Sequence, residues 1–261
     1  MKRTEIKSSA TDPKKIISFI VPAHNEELEL AATLEAIHAA ASGAAQPYRI
    51  IVVDDASADG TSEIAWRAGA KVVRIDRRQI AAARNAGARA AHGEVLFFVD
   101  ADTRITQVHI TKAIAVLDAG YAGGSAHVAM DGFLPVWGRV LLRAFGALYF
   151  GLNLGAGAFL FTTRHNFEAI GGFDEQYFAG EEVYFSLALK KLGRFKVLRQ
   201  PVVTSGRKLR MYPANQFLRN FFGVIVGGPQ AVRSRAKLSL WYDGRREQQL
   251  VVNGTNPAGL E

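Results

Sequence analysis

The chain contains no cysteine among its 261 residues, and only three tryptophans and three methionines. The absence of cysteine excludes disulfides, thiolate metal sites and cysteine nucleophiles, and it fits a reducing compartment. The six histidines show no spacing typical of metal ligands. Residues 1–15 are charged and lack the apolar core of a signal peptide, so the sequence predicts a flexible leader on a cytoplasmic protein.

Long apolar runs are also scarce. The uncharged stretch 144–163 has 20 residues, but four glycines and Asn153 interrupt it, which argues against a membrane-spanning helix. In the preceding segment, 133–153, Arg139 and Arg143 lie four residues apart on one helical face. Two interpretations stay open for this segment: a helix of the protein body, or a helix in the membrane interface with both arginines toward the headgroups.

Basic residues are concentrated at one end of the chain. Residues 190–261 hold 14 lysines and arginines against 3 acidic residues, whereas residues 1–189 hold 18 against 21. A basic surface attracts nucleic acid, anionic lipid headgroups or a phosphorylated substrate. No RRM, KH or zinc-finger pattern accompanies it, so we expect no nucleic-acid partner. Residues 211–261 are interpreted as a basic amphipathic helix and a tail.

The first hundred residues alternate between two kinds of segment. Short apolar runs rich in Val, Ile and Phe are typical of strands buried on both faces, and Ala-rich segments of helical composition separate them. This alternation predicts the α/β class, with a mainly parallel Rossmann-like sheet flanked by helices. The predicted strands are 16–22, 48–54, 70–75, 94–100 and, further along, 154–163; the predicted helices are 26–42, 60–68, 79–91, 106–119 and 181–193.

Polar and acidic residues follow three of these strands, in PAHNEE (22–27), DDASADGT (54–61) and DADT (100–103). Ligands of parallel sheets bind at the carboxyl ends of the strands. Asp100 and Asp102 are two apart, so their side chains point to the same side if the strand stays extended. Paired carboxylates that leave room for substrate phosphates suit Mg²⁺ or Mn²⁺, and we expect such a cation here.

Five sequence blocks follow one another in a specific order. They are IVPAHNE (20–26), VVDDASADGT (52–61), AAARNAGARAAHGEVLFFVDADTRI (81–105), GAGAFLFTTRHNFEAIGGFDE (155–175) and GEEVYFSLALKKLG (180–193). In combination, these blocks resemble the family 2 glycosyltransferases of the GT-A fold, which transfer a sugar from a nucleotide-diphosphate donor with inversion at the anomeric carbon. The resemblance runs from about 17 to 208. It implies a GT-A catalytic domain over 16–210, with a nucleotide-sugar half at 16–104 and an acceptor half at 105–210.

The resemblance implies which residues bind the nucleotide. Pro22, Ala23 and Glu26 would line the nucleotide pocket. Asp55 would bind the edge of the base, with Asp54 as the weaker alternative. A UDP-sugar is the usual donor of the family.

The resemblance also implies how the diphosphate is held. Arg84 would face the base or the diphosphate. Asp102 would bind the metal directly, and Asp100 would contact the ribose or a metal-bound water. Arg207 and its basic neighbours would stabilise the departing diphosphate or hold a phosphate on the acceptor.

Sugar transfer also needs a base, because the acceptor hydroxyl loses a proton as it attacks. The family commonly places this carboxylate after a glycine at the start of a helix, where the chain reads Gly180-Glu181-Glu182. We expect Glu182 to be the base, with Glu181 as the second candidate and Asp174 as the third. A helix N-terminus favours the ionised form of such a group.

The sequence therefore predicts a metal-dependent inverting glycosyltransferase that acts on a lipid-linked or cell-envelope glycan acceptor, at the cytoplasmic face of a membrane. Two alternatives stay open. A nucleotidyltransferase that makes nucleotide-sugars would normally carry a Gly-rich loop after the first strand, and PAHNEE has no glycine. A non-catalytic nucleotide-sugar-binding module would bind the donor without turnover.

Overall fold

The computed structural model describes residues 15–132 and 135–211, together with the single positions 215, 219, 232, 233 and 238. The predicted leader, apart from Lys15, lies outside these residues. So does nearly all of the predicted C-terminal helix and tail.

Within the described residues, eight strands form one continuous sheet. They are β1 (Ile17–Ala23), β2 (Tyr48–Asp55), β3 (Lys71–Ile75), β4 (Val95–Val99), β5 (Thr103–Arg104), β6 (Gly123–Met130), β7 (Phe159–Thr163) and β8 (Phe195–Thr204). Their spatial order is β3-β2-β1-β4-β7-β6-β8-β5. The β3-β2-β1-β4 part is wholly parallel. The remainder is mixed: β7 is antiparallel to β4 and β6, β8 is parallel to β6, and β5 is antiparallel to β8.

Helices cover both faces of this sheet. They are α1 (Leu30–Gly43), α2 (Thr61–Arg67), α3 (Ile80–Ala90), α4 (Gln107–Asp118), α5 (Val136–Gly151), α6 (Arg164–Ala169), α7 (Glu181–Leu192) and α8 (Arg207–Met211). The apolar residues of α1, α2 and α4 pack on one face, and those of α3, α6 and α7 pack on the other. No helix in the described part of the chain is long and apolar enough to cross a membrane.

The apolar run of β4 illustrates why this sheet is buried on both sides. Successive side chains of a strand point to opposite faces. Phe97 accordingly joins the layer beneath α1 and stacks on Phe19, with ring centroids 5.2 Å apart. Phe98 joins the layer beneath α3 and meets Phe173 edge-on at 4.9 Å. A strand covered on both faces needs apolar residues at every position.

The sequence-based prediction holds best in the parallel part, where each of the four predicted strands is found within one residue at either end. The predicted strand 154–163 begins only at Phe159. β6 and β8 were not predicted. β6 contains mostly small residues, GGSAHVAM, and half of β8 is exposed to solvent, so neither has the continuous apolar pattern of the first strands.

Candidate active site

The polar residues that follow β1, β2, β4 and β8 meet at one edge of the sheet. Arg207, after β8, contacts Glu26, after β1. Arg84, from α3, contacts both Asp100, after β4, and the N-terminal residue of α7, Glu181. Segments that are distant in sequence therefore converge where ligands of parallel sheets bind.

At the end of β2, the two aspartates are bound by neighbouring backbone and hydroxyl groups. Asp54 accepts hydrogen bonds from the Ser57 N–H and the Ser62 hydroxyl. Burial raises the pKa of Asp54, but the hydrogen bonds from both serines outweigh it, and the net pKa is lowered.

Asp55 holds the loop that follows β3. Its Oδ1 accepts from the N–H groups of Arg77 and Arg78, both at 2.7 Å, and its Oδ2 accepts from the N–H of Gln79 at 2.8 Å. The contacts of Asp55 or Asp54 with a nucleotide base stay a prediction. The structure gives Asp55 a structural role in addition.

The end of β1 is built from small buried groups. Pro22 and Ala23 are buried and pair with Val53 and Asp54 of β2. His24 follows them, and its Nδ1 lies 2.7 Å from the carbonyl oxygen of Asp55. Pro22 and Ala23 thus lie beside the predicted base-binding aspartates, and their lining of a nucleotide pocket stays a prediction.

Arg84 is the buried cation of the site, with a side chain only 1% exposed. Its Nη1 donates to Glu181 Oε1 at 2.5 Å, and its Nη2 donates to Asp100 Oδ1 and to the Gly157 carbonyl, both at 2.9 Å. Because Glu181 is also buried, at 3% exposure, the pair is shielded from water and salt. The predicted contact of Arg84 with base or diphosphate stays a prediction, while its observed partners are two carboxylates.

The expectation that Asp100 and Asp102 project side by side from an extended strand is wrong. β4 ends at Val99, and the chain turns, with the Thr103 N–H donating to the Asp100 carbonyl at 3.0 Å. Asp100 therefore faces Arg84, whereas Asp102 faces the end of β8. Burial raises the pKa of Asp100 to about 6, and the charge of Asp102 adds to this effect although Arg84 opposes it.

Asp102 lies against two residues at the end of β8. Its Oδ1 accepts from the Thr204 hydroxyl at 3.0 Å, and its Oδ2 lies 3.3 Å from Arg207 Nη2. Arg207 also forms a bidentate pair with Glu26, at 2.6 and 2.7 Å. Burial lowers the pKa of Arg207, but the hydrogen bonds and charge of Glu26 more than offset this, so the guanidinium stays charged.

The oxygen groups here fit a hard divalent cation. No cluster of three or more histidine or acidic side chains arranged as a metal site exists within the described residues. Mg²⁺ and Mn²⁺, however, need only one or two carboxylates when a diphosphate and water supply the other ligands. Within the described residues, Asp102 makes one hydrogen bond and one longer contact to a guanidinium, so it has lone pairs left for a metal, whereas Asp100 Oδ1 is bound to Arg84.

The three candidate bases have different surroundings. Glu181 is paired with Arg84. Asp174 lies in the loop before α7, where its Oδ1 accepts from the Gln176 N–H at 2.9 Å. Within the described residues, the carboxylate of Glu182 forms no ion pair, and it accepts a hydrogen bond from its own backbone N–H. Burial raises the pKa of Glu182 to about 8, the charge of Glu181 adds to this, and Arg84 opposes it.

Sequence reasoning missed four residues that shape this site. Thr204 binds Asp102, Gly157 binds Arg84 through its carbonyl, and Gln79 and Asn85 bind the loop before α7. Asn85 directly follows Arg84 inside a recognised block, so its position was visible but its partner was not. A Cβ on Gly157 would lie 3.0 Å from Arg84 Nη2, a proximity that no local pattern encodes.

The sequence profile of glycosyl transferase family 2 matches residues 18–174, more than half of the chain. The chain is 30% identical, over 120 residues, to undecaprenyl-phosphate 4-deoxy-4-formamido-L-arabinose transferase of Serratia proteamaculans. That match covers 43% of this chain and 37% of the relative, so the chain aligns with well under half of the relative's length.

Solved structures are similar over nearly the whole chain. A mannosyltransferase from Pyrobaculum calidifontis in complex with GDP-Man and Mn²⁺ superposes with a TM-score of 0.61 at 17% identity, covering 94% of this chain and 67% of that one. Glucosyl-3-phosphoglycerate synthase from Mycobacterium tuberculosis, in complex with Mn²⁺, UDP and glucosyl-3-phosphoglycerate, gives 0.59 at 17% identity, covering 89% and 82%. The fold is therefore GT-A-like, and the chain belongs to glycosyl transferase family 2.

Proposed function

We propose that this enzyme transfers a sugar, with inversion, from a nucleoside-diphosphate sugar to a lipid-linked acceptor, and that Glu182 is the general base. The observation that carries the proposal is the contrast between Glu182 and its neighbour. Glu181 is held by Arg84 at 2.5 Å, whereas the carboxylate of Glu182, in the same acidic cluster, forms no ion pair with the described residues.

An unpaired carboxylate is the better proton acceptor. To accept a proton from the attacking hydroxyl, the base needs a free oxygen and a pKa not far from the working pH. Glu182 meets both requirements, because burial and the charge of Glu181 raise its pKa. In Glu181, one oxygen is already bound to a buried guanidinium. Asp174 lies seven residues before Glu181, and its Oδ1 already accepts a hydrogen bond from the Gln176 N–H.

On the donor side, we propose that residues 16–104 bind the nucleotide-sugar and that Asp102 holds Mg²⁺ or Mn²⁺ together with the diphosphate. A bound divalent ion acts as a Lewis acid and stabilises negative charge on the leaving diphosphate. Arg207 orients Asp102 and Glu26 from the end of β8. The Mn²⁺ in the two structural neighbours supports this assignment, and UDP in one of them supports a UDP-sugar as donor.

On the acceptor side, we propose that residues 105–210 receive a lipid-linked substrate at a membrane surface on the cytoplasmic side. The undecaprenyl-phosphate transferase of Serratia supports a lipid-phosphate acceptor. Val136 and Val140 lie one helical turn apart on α5 and are 64% and 63% exposed, with Arg139 exposed beside them. Apolar and basic side chains on one exposed helical face are typical of contact with anionic headgroups.

A panel of nucleotide-sugars tests the donor assignment. Thermal unfolding is followed with UDP-glucose, UDP-GlcNAc and GDP-mannose, each with and without Mn²⁺. A ligand that binds only the native state raises the unfolding temperature, so we expect one donor to do so, and more strongly with the metal. Stabilisation by none of them, or by all equally without Mn²⁺, would contradict the donor proposal.

Turnover tests the acceptor and the base. The stabilising donor is incubated with undecaprenyl phosphate, and release of nucleoside diphosphate is measured for the wild type and for Glu182→Gln. We expect release only with the lipid phosphate and only from the wild type. Donor binding without release under any condition would instead support the non-catalytic alternative. The family match gives no support to the nucleotidyltransferase interpretation.

A further inference from the structure

Residues 173–180, called the base loop below, lead directly into the helix that begins with Glu181 and Glu182. The loop ends at Gly180, which has a left-handed backbone (φ 72°) and provides no side-chain cap for α7. The direction in which Glu182 points therefore depends on what holds the loop. Its first residue, Phe173, is fixed by stacking on Phe185, with ring centroids 4.1 Å apart.

Gln79 holds the middle of the base loop. This buried residue stands just before α3, and its Nε2 donates to the carbonyl oxygens of Glu175 at 2.5 Å and Tyr177 at 3.3 Å. Both carbonyls lie more than 90 residues away in sequence. One side-chain amide thus hydrogen-bonds to two backbone carbonyls of the base loop.

Asn85, which lies in α3 six residues after Gln79, holds the start of the base loop. Its Nδ2 donates to the Phe173 carbonyl at 2.8 Å and to Glu175 Oε1 at 2.9 Å, and its Oδ1 accepts from the Phe173 N–H at 2.9 Å. Gly172 makes this approach possible, because a Cβ there would lie 2.7 Å from Asn85 Oδ1. The backbone of Gly172 is also left-handed, at φ 79°.

Gln79 is itself anchored to the end of β2. Its backbone N–H donates to Asp55 Oδ2, alongside the two N–H groups that bind Oδ1. A continuous chain of hydrogen bonds therefore runs from Asp55, the predicted base-binding residue, through Gln79 to the base loop. Buried hydrogen bonds of this kind are costly to leave unmade, so the loop and the end of β2 form a rigid unit.

We infer that Gln79 and Asn85 are positioning residues, which set the base loop, and through it Glu182, relative to a donor bound at the end of β2. This inference rests on the proposed function, in which Glu182 is the base. Neither side chain needs to touch substrate. Each acts by restricting the loop, and a misplacement of the base by about 1 Å can reduce the rate roughly a hundredfold.

Gln79→Glu is the primary test, because the substitution keeps the size of the side chain but places a carboxylate against two carbonyl oxygens. The hydrogen bonds of the Gln79 and Asn85 side chains to the base loop are called the clamp below. The matched control is Gln176→Glu, which adds the same charge to an exposed position in the base loop without removing a bond of the clamp. Hydrogen exchange is measured at the N–H groups of Gln176, Tyr177 and Phe178, each of which donates a hydrogen bond. We expect faster exchange there in Gln79→Glu and not in the control.

Catalysis and binding are measured on the same two variants. We expect kcat of Gln79→Glu to fall by about a hundredfold, with the affinity for UDP plus Mn²⁺ unchanged, and the control to keep both values. A merely structural role would lower affinity and thermal stability together with kcat. Asn85→Asp provides a second variant, since it removes the donor to Phe173 while keeping the acceptor.

The inference is overturned if neither Gln79→Glu nor Asn85→Asp speeds exchange in the base loop beyond the Gln176→Glu control. It is also overturned if exchange is faster while kcat is unchanged. Failure of the proposed function gives a different result, namely full turnover by Glu182→Gln. The exchange comparison needs no turnover and still decides whether the clamp exists.

Discussion

The ends of β2 and β4 each carry two aspartates, yet the protein treats the two pairs differently. At β2, Asp54 and Asp55 accept hydrogen bonds from serines and backbone N–H groups within 24 residues along the chain. At β4, Asp100 and Asp102 meet the guanidinium groups of Arg84 and Arg207. The first pair of aspartates is therefore stabilised by neutral hydrogen-bond donors, and the second pair is stabilised by positively charged side chains.

This difference changes how easily the carboxylates bind a proton. Hydrogen bonds lower the net pKa of Asp54 despite burial. Around Arg84, burial and mutual repulsion raise the pKa of Asp100 and of Glu182. Arg84, Asp100, Glu181 and Glu182 form what is called the β4–α7 cluster below. Its single guanidinium does not neutralise three carboxylates, so the cluster retains negative charge. The end of β2 is therefore a stable frame, whereas the β4–α7 cluster is able to accept a proton or a cation.

The largest effect is expected from Glu182→Gln, which removes the proton acceptor from the β4–α7 cluster but keeps its shape. The kcat should fall by about 10²–10⁴-fold, as is usual when a general base is lost, while the affinity for UDP with Mn²⁺ changes little. Glu168→Gln, at an exposed carboxylate of α6, serves as the control. Unchanged turnover by Glu182→Gln would contradict the assignment of the proton acceptor to the β4–α7 cluster.

The next largest effect is expected from Arg84→Met, which leaves Asp100 and Glu181 without their buried cation. Removing one partner of a buried ion pair typically lowers the free energy of unfolding by about 3–5 kcal/mol. Arg67→Met, which breaks an exposed pair with Glu63, should cost at most about 0.5 kcal/mol. Urea denaturation distinguishes them, and similar small losses would mean that the cluster does not depend on Arg84.

A smaller effect is expected at the end of β2. Asp55→Asn keeps an acceptor for Arg77 and Arg78 but turns an amide donor toward the Gln79 N–H. Such an unsatisfied group costs about 1–3 kcal/mol, which urea denaturation can measure. The loss should be less than that of Arg84→Met. A larger one would reverse the comparison between the two regions.

The last comparison is a pH dependence of opposite sign in the two regions. The folded state raises the pKa of Glu182 from 4.5 to about 8, so its contribution to stability is full below pH 4.5 and is lost as the pH rises through 8. For Asp54, whose pKa is lowered, the contribution is present above pH 3.8 and is lost on acidification.

Thermal unfolding of two variants tests this sign. Between pH 4.5 and 8, the wild type should lose thermal stability relative to Glu182→Gln, because the side chain at this position titrates only in the wild type. Asp54→Asn should approach the wild type only in strong acid. Parallel pH profiles for all three proteins would contradict the assignment of the shifted groups.

The sequence was most informative where one physical requirement acts on consecutive residues. Burial on both faces demands unbroken apolar runs, so β1 to β4 were predicted almost to the residue. It was less informative for β6, whose small residues carry little pattern, and for β8, which is half exposed. The paired aspartates after β4 were recognised, but the extended geometry assumed for them was not correct, because the chain turns at Ala101 and the two carboxylates contact different partners.

By itself, the sequence determined the parallel strands and the acidic residues that follow them, since both are properties of short segments. Only the tertiary structure decided which cation meets which carboxylate. Arg84 and Glu181 are 97 residues apart, and Arg207 and Glu26 are 181 apart. No local periodicity relates such residues. They meet because the sheet brings its strand ends to one edge, where pairing offsets part of the cost of burying the guanidinium and carboxylate charges.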